Sequence, residues 1–67
     1  MPKFCVAFFS EFDGKLEQHI VPDAPDWRDA LAKAKPGYVE NIAHCNTMEE
    51  AVKEAFNQDW HFNVIEI

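Results

Sequence analysis

The run Lys3 to Phe12, KFCVAFFSEF, is followed by Asp13-Gly14 and then by a second run, KLEQHIV. Aromatic and β-branched residues crowd both runs, and Asp-Gly between two such runs is among the strongest local signals for a β-hairpin. A two-residue turn at Asp13-Gly14 pairs Phe12 with Lys15 and Phe8 with His19, which mixes polar and apolar groups on both faces. A three-residue loop, Phe12-Asp13-Gly14, with Gly14 left-handed at a bulge, pairs Glu11 with Lys15 and Val6 with Ile20. One face then carries Phe4, Val6, Phe8, Leu16 and Ile20, a cleaner core. The three-residue loop is therefore the expected register.

Pro22 and Asp23-Ala24-Pro25 end the hairpin, because proline cannot continue a paired ladder. Asp26 suits a helix N-cap, and Trp27, Ala30, Leu31 and Ala34 recur at helical spacing. Lys33 and Lys35 suit the end of that helix, which Pro36-Gly37 stops, so a short helix is predicted over 26–35. The stretch YVENIAHCN, Tyr38 to Asn46, reads equally as loop or partial helical turn. Thr47 then opens a second helix, with Glu50 at the reciprocal capping position. Met48, Ala51, Val52, Ala55 and Phe56 follow the i, i+3, i+4, i+7, i+8 pattern of a buried stripe. Glu49 and Lys53 fall four apart on the outer face, and Asn57 suits the C-terminal cap. The closing WHFNVIEI alternates as a third strand.

The order strand, strand, helix, helix, strand (ββααβ) predicts an α+β domain with a three-stranded sheet and the helices mainly on one face. The first strand is apolar on both faces, which suits the central position. With 67 residues there is room for a single domain, 1–67. Hydrophobic residues make up 48%, so the chain is no disordered acidic tail.

Twelve Asp and Glu against six Lys and Arg give a formal net charge of −6, which argues against nucleic acid or an anionic membrane as direct partner. The longest apolar stretch, Phe4 to Phe9, is too short to span a bilayer, and the start does not read as a signal peptide. Cys5 and Cys45, forty positions apart and outside any CxxC pair, read as reduced thiols of a cytoplasmic protein.

The residue types that bind metal are Cys5, His19, His44, Cys45 and His61. Only His44 and Cys45 are adjacent, and neighbours at i and i+1 point apart on a helix or a strand. Cys45 beside His44 is the one candidate nucleophile, yet Glu40, Glu49 and Glu50 nearby would raise its thiol pKa. With two glycines there is no phosphate-cradling loop. The expectation is a non-enzymatic protein with no metal and no cofactor.

Charge is unevenly spread. Residues 1–39 carry a net −1, whereas residues 40–67 hold six acids against Lys53 alone, a net −5. Much of this acidity, Glu49, Glu50 and Glu54, lies on the outer face of the second helix, which reads either as a solvated helix face or as a surface that suits a partner with a basic surface. In the expected register the sheet's other face shows Cys5, Ala7, Phe9 and Val21, joined by Ile65 and Ile67. Two short helices linked as a hairpin cover one face of a three-stranded sheet and hardly both, which makes this apolar face a candidate contact surface; the alternative is that the helices split across the two faces and bury both. The candidate partner-binding residues are thus Glu49, Glu50, Glu54, Phe9, Ile65 and Ile67.

The Asp-Gly hairpin, the helix opened by Thr47, Glu50 and Ala51, and the closing strand resemble small accessory proteins of tailed bacteriophages. In outline they are similar to the podoviral inhibitors of host RNA polymerase. The segment Asp26 to Lys35 is extra relative to that outline. The resemblance implies a host-takeover protein that acts in the host cytoplasm by binding a larger enzyme, an RNA polymerase or a defence nuclease. The alternatives are a structural homodimer formed through the sheet face and a metal-binding or thiol-active protein.

Overall fold

The hairpin forms, with a longer turn than expected. In a computed structural model that describes residues 2–67, β1 (Phe4–Ser10) pairs antiparallel with β2 (Lys15–Val21). Gly14 N–H donates to the Ser10 carbonyl at 2.9 Å, which closes a four-residue loop over residues 11–14. The Ser10 hydroxyl accepts from Phe12 N–H at 3.2 Å, and the Asp13 carboxylate accepts from Lys15 N–H at 3.0 Å. Gly14 is left-handed, φ 68°, as expected.

These turn bonds pair Ser10 with Lys15 and Val6 with His19, one residue away from the expected Glu11–Lys15 and Val6–Ile20 pairing. A one-residue slip moves every β2 side chain to the opposite face. Leu16 and Ile20, expected in the core, therefore stand on the outside at 79% and 55% exposure, and Val21, expected outside, is buried.

After β2 the chain forms α1 (Trp27–Ala34), a 3-10 turn (Val39–Ile42) and α2 (Met48–Asn57), then returns as β3 (Trp60–Glu66). β3 pairs antiparallel with the other edge of β1, giving the order β2-β1-β3 with β1 central. Its side chains alternate between buried and partly buried along its length, as a strand between two neighbours requires. The result is the expected α+β fold, with the helices packed against the sheet.

Local chemistry explains the helix ends. Asp26 caps α1 by accepting from Asp29 N–H at 2.8 Å, and Thr47 caps α2 by accepting from Glu50 N–H at 3.2 Å. Glu50 reaches back to Asn46 N–H, one residue before the cap, at 3.1 Å. Asn57 is not the terminal cap. Gln58 N–H bonds back to Ala55 O at 2.9 Å and Asp59 turns left-handed, φ 65°, which leads straight into β3. Aspartate tolerates that conformation better than most residues. The ambiguous 38–46 stretch contains the 3-10 turn, held to α1 where Arg28 donates to the carbonyls of Ile42 and Cys45.

Between sheet and helices, Phe4, Val6, Phe8, Trp60, Phe62 and Val64 pack against Leu31, Ala30, Ile42, Ala51 and Ala55. Phe8, Tyr38 and Trp60 form an aromatic knot, with ring centroids 4.7–5.7 Å apart. The knot is tied to the chain by Trp60 Nε1 donating to Gln58 Oε1 at 3.1 Å.

The stripe on α2 is only half used. Ala51 and Ala55 are buried and Met48 partly so, but Val52 and Phe56 stand at 36% and 66% exposure. Small residues let the helix approach the sheet closely, and Val52 and Phe56 fall on its flank, beyond the last strand. Replacing Thr47 by alanine is expected to lower unfolding stability by about 1 kcal/mol. The urea midpoint should fall with no change in slope.

Candidate functional site

Alternation along three paired strands places nine side chains on the face away from the helices. They are Cys5, Ala7 and Phe9 on β1, Leu16, Gln18 and Ile20 on β2, and His61, Asn63 and Ile65 on β3. None of the nine is Asp, Glu, Lys or Arg, in a chain of net charge −6. Leu16, Ile20 and Ile65 are more than half exposed, and Ile67 continues the row just beyond β3. At the centre lies a shallow hollow of ≈ 230 Å³ bounded by Ala7, Phe9, Leu16, His61 and Asn63.

The polar members of the face are tied down locally. Gln18 Nε2 donates to Cys5 Sγ at 3.1 Å. His61 Nε2 lies 2.8 Å from Glu11 Oε2, and its ring sits between Phe9, centroid 6.0 Å away, and Phe56, at 5.3 Å. The face is thus apolar, with its hydrogen-bonding groups partly occupied. Water gains little by wetting it, and a partner's apolar surface loses little by covering it.

The sequence candidates separate into two groups. Phe9 and Ile65 lie on the open face and Ile67 at its margin. The acids of α2 stand away from its buried side, Ala51 and Ala55, and each has a local partner. Glu50 is held by Asn46 N–H, and Glu54 accepts from Gln58 Nε2 at 3.1 Å with His44 Nε2 at 3.7 Å. Glu49 is exposed, its carboxylate 4.0 Å from Lys53 Nζ in an i, i+4 pair. A loop one residue shorter would turn Leu16 and Ile20 toward the helices; the observed four-residue loop turns them out. The predicted face also included Val21, which the observed register buries.

On the helix side, a second charged group links α1 to the sheet. Lys35 Nζ lies 3.1 Å from Glu17 Oε2, and His19 Nε2 lies 3.0 Å from Glu17 Oε1. The same ammonium stands 4.8 Å above the Phe8 ring. The hydrogen bond from Lys35, followed by that from His19, holds the Glu17 carboxyl below its ordinary pKa.

Cys45 is buried and Cys5 partly exposed, and both are free thiols. Burial first, then the carboxylates of Glu54 and Glu50, push the Cys45 thiol up, which opposes thiolate chemistry there. Among the described residues, no group of three or more His, Cys, Asp or Glu side chains is placed to hold a metal ion. Among the same residues, no helix is long and apolar enough to cross a membrane. Comparison of the chain with family models, with curated proteins and with solved structures finds no match.

Two outcomes follow for these side chains. A carboxylate with a lowered folded pKa stabilises the fold above its unfolded pKa, and the gain is lost as the pH falls through the folded value. Glu17→Gln should therefore flatten the decline of Tm with acidification below about pH 4, while leaving the neutral-to-alkaline limb parallel to the parent protein. In a thiol titration of the folded protein at pH 8, Cys5 should react first. Cys45 should follow only after unfolding, and equal rates would contradict its burial.

Proposed function

We propose that the chain is a small non-enzymatic binding protein that modulates a larger protein carrying basic groups around an apolar patch. In the setting the resemblance implies, it acts in the cytoplasm of a bacterial host against RNA polymerase or a defence nuclease. The observation that carries this reading is the uncovered, uncharged face of the sheet with Leu16, Ile20 and Ile65 exposed. A face of this kind in a chain this small is too shallow to enclose a substrate, but matches the apolar centre of a protein interface. At the hairpin end Glu11 lies 2.8 Å from His61 of the face, and Asp13 and Asp59 are close by, with Lys15 as the one base in that loop region. Acids at that end of an apolar face favour a partner that sets basic groups beside its own apolar patch.

A second reading has its own support. Two copies meeting through the open face would bring no charged side chain against its mate among the nine central positions. Sedimentation at micromolar concentration separates the two readings, and a clean monomer eliminates the dimer.

The first reading is tested with purified bacterial RNA polymerase, and with a restriction nuclease, each immobilised against the protein. The association rate should fall several-fold between roughly 20 and 150 mM salt, with a smaller change in dissociation. Leu16→Arg should abolish binding without unfolding the domain, since Leu16 is exposed. Failure of both enzymes to bind at micromolar concentration, or binding indifferent to Leu16→Arg, overturns the reading.

A further inference from the structure

The two edges of the sheet differ in how they are protected. On β2, Lys15, Glu17 and His19 point to the helix side, Lys35 closes over Glu17, and Pro22 follows the strand. Inward-pointing charges and a proline are devices that discourage pairing of an edge with another chain. β3 has no Lys, Arg or Pro, and its single carboxylate is that of its last residue, Glu66.

The unpaired backbone groups of β3 can be located from its register. Ile67 N–H donates to the Lys3 carbonyl at 2.8 Å, and Glu11 N–H donates to the Asp59 carbonyl at 3.0 Å. Narrow and wide pairs alternate along an antiparallel ladder, so Ile65, Asn63 and His61 exchange bonds with Cys5, Ala7 and Phe9. The N–H and C=O groups of Phe62, Val64 and Glu66 then point outward, away from β1. Their side chains lie on the helix side, and the free groups follow one another along the outer edge of the sheet, where Phe62 and Val64 are 6% and 5% exposed and Glu66 is exposed.

The helix beside that edge is apolar where it should be covered. Helical periodicity sets Glu49, Val52, Lys53 and Phe56 on one flank of α2. The Phe56 ring reaches His61, 5.3 Å away, so this flank borders β3. The opposite flank, with Glu54 and then Gln58, bonds toward His44 and Asn41. Val52 and Phe56 belong to the stripe in which Ala51 and Ala55 are buried and Met48 partly so, and they stand at 36% and 66% exposure.

Resting on the binding reading above, we infer that the outer edge of β3 takes an extended segment of the partner as a fourth strand. That segment alternates apolar and basic residues. Its backbone pairs with Phe62, Val64 and Glu66, its apolar side chains lie beside Val52 and Phe56, and its basic ones pass Glu49 and Glu66. Charge selects this occupant over a second copy. The unit from Met48 to Ile67 holds five acids against Lys53, so two copies joined along β3 would bring two acidic helices together.

The probe is a capped seven-residue peptide alternating lysine and valine, titrated into the 15N-labelled protein. Shifts should centre on Phe62, Val64 and Glu66, and exchange of those amides should slow about tenfold at saturation. A glutamate–valine peptide, and a lysine–valine peptide N-methylated at alternate residues, should leave them unchanged. Phe56→Lys, Val52→Lys and Glu49→Lys should each weaken the lysine–valine peptide about fivefold or more while the fold persists.

Shifts centred on Leu16, Gln18 and Ile20, on Ala7 and Phe9, or nowhere would overturn the proposal. So would protection of the β3 amides that rises with protein concentration and not with peptide, which would assign the edge to a second copy. A host enzyme that still binds Phe56→Lys at full strength, yet not Leu16→Arg, would sink the fourth strand and leave the binding function standing.

Discussion

Everything on the sheet depends on the bonds that close the turn between β1 and β2. Ser10, Asp13 and Gly14 each contribute one bond, and together they hold a loop of four residues. Strand side chains alternate with a period of two, so this loop length decides which half of β2 faces the helices. Val21, His19 and Glu17 turn inward, where Glu17 meets Lys35, and Leu16 and Ile20 turn out. The helix attachment and the apolar open face are two consequences of one turn.

The second constraint is scarcity of cover. A chain of 67 residues with one eight-residue and one ten-residue helix can cover only one side of a three-stranded sheet. The covered side is closed by the aromatic knot of Phe8, Tyr38 and Trp60 and by close approach of Ala51 and Ala55. What remains outside is continuous: the neutral open face, then Phe56 wrapped toward His61, then Val52 on the flank of α2. An apolar belt of this extent on a domain this small is stable in water only at a cost, and contact with another surface removes that cost.

The acidity has a structural share. Asp26 and Glu50 accept backbone N–H groups at helix starts, and Glu17 anchors Lys35. Glu54 is engaged by Gln58 and His44. These bonds fix where the carboxylates stand and leave the net charge of −6 unchanged, and Glu49 and Glu66 are the acids along the apolar edge.

The element order, the left-handed Gly14, the central β1 and the caps Asp26 and Thr47 were all legible in the residues. Each is set by local chemistry or by a period that one element displays alone. Register was not legible, because loops of three and four residues both suit Phe12-Asp13-Gly14, and only the competing hydrogen bonds of Ser10 and Asp13 choose between them. The fate of Val52 and Phe56 was not legible either. Their spacing states that one side of α2 is apolar, and only the position of α2 beside the last strand decides how much of that side is covered. The sequence by itself determined which elements form and where they start. The tertiary structure alone decided which apolar side chains are left facing water, because burial depends on neighbours distant along the chain.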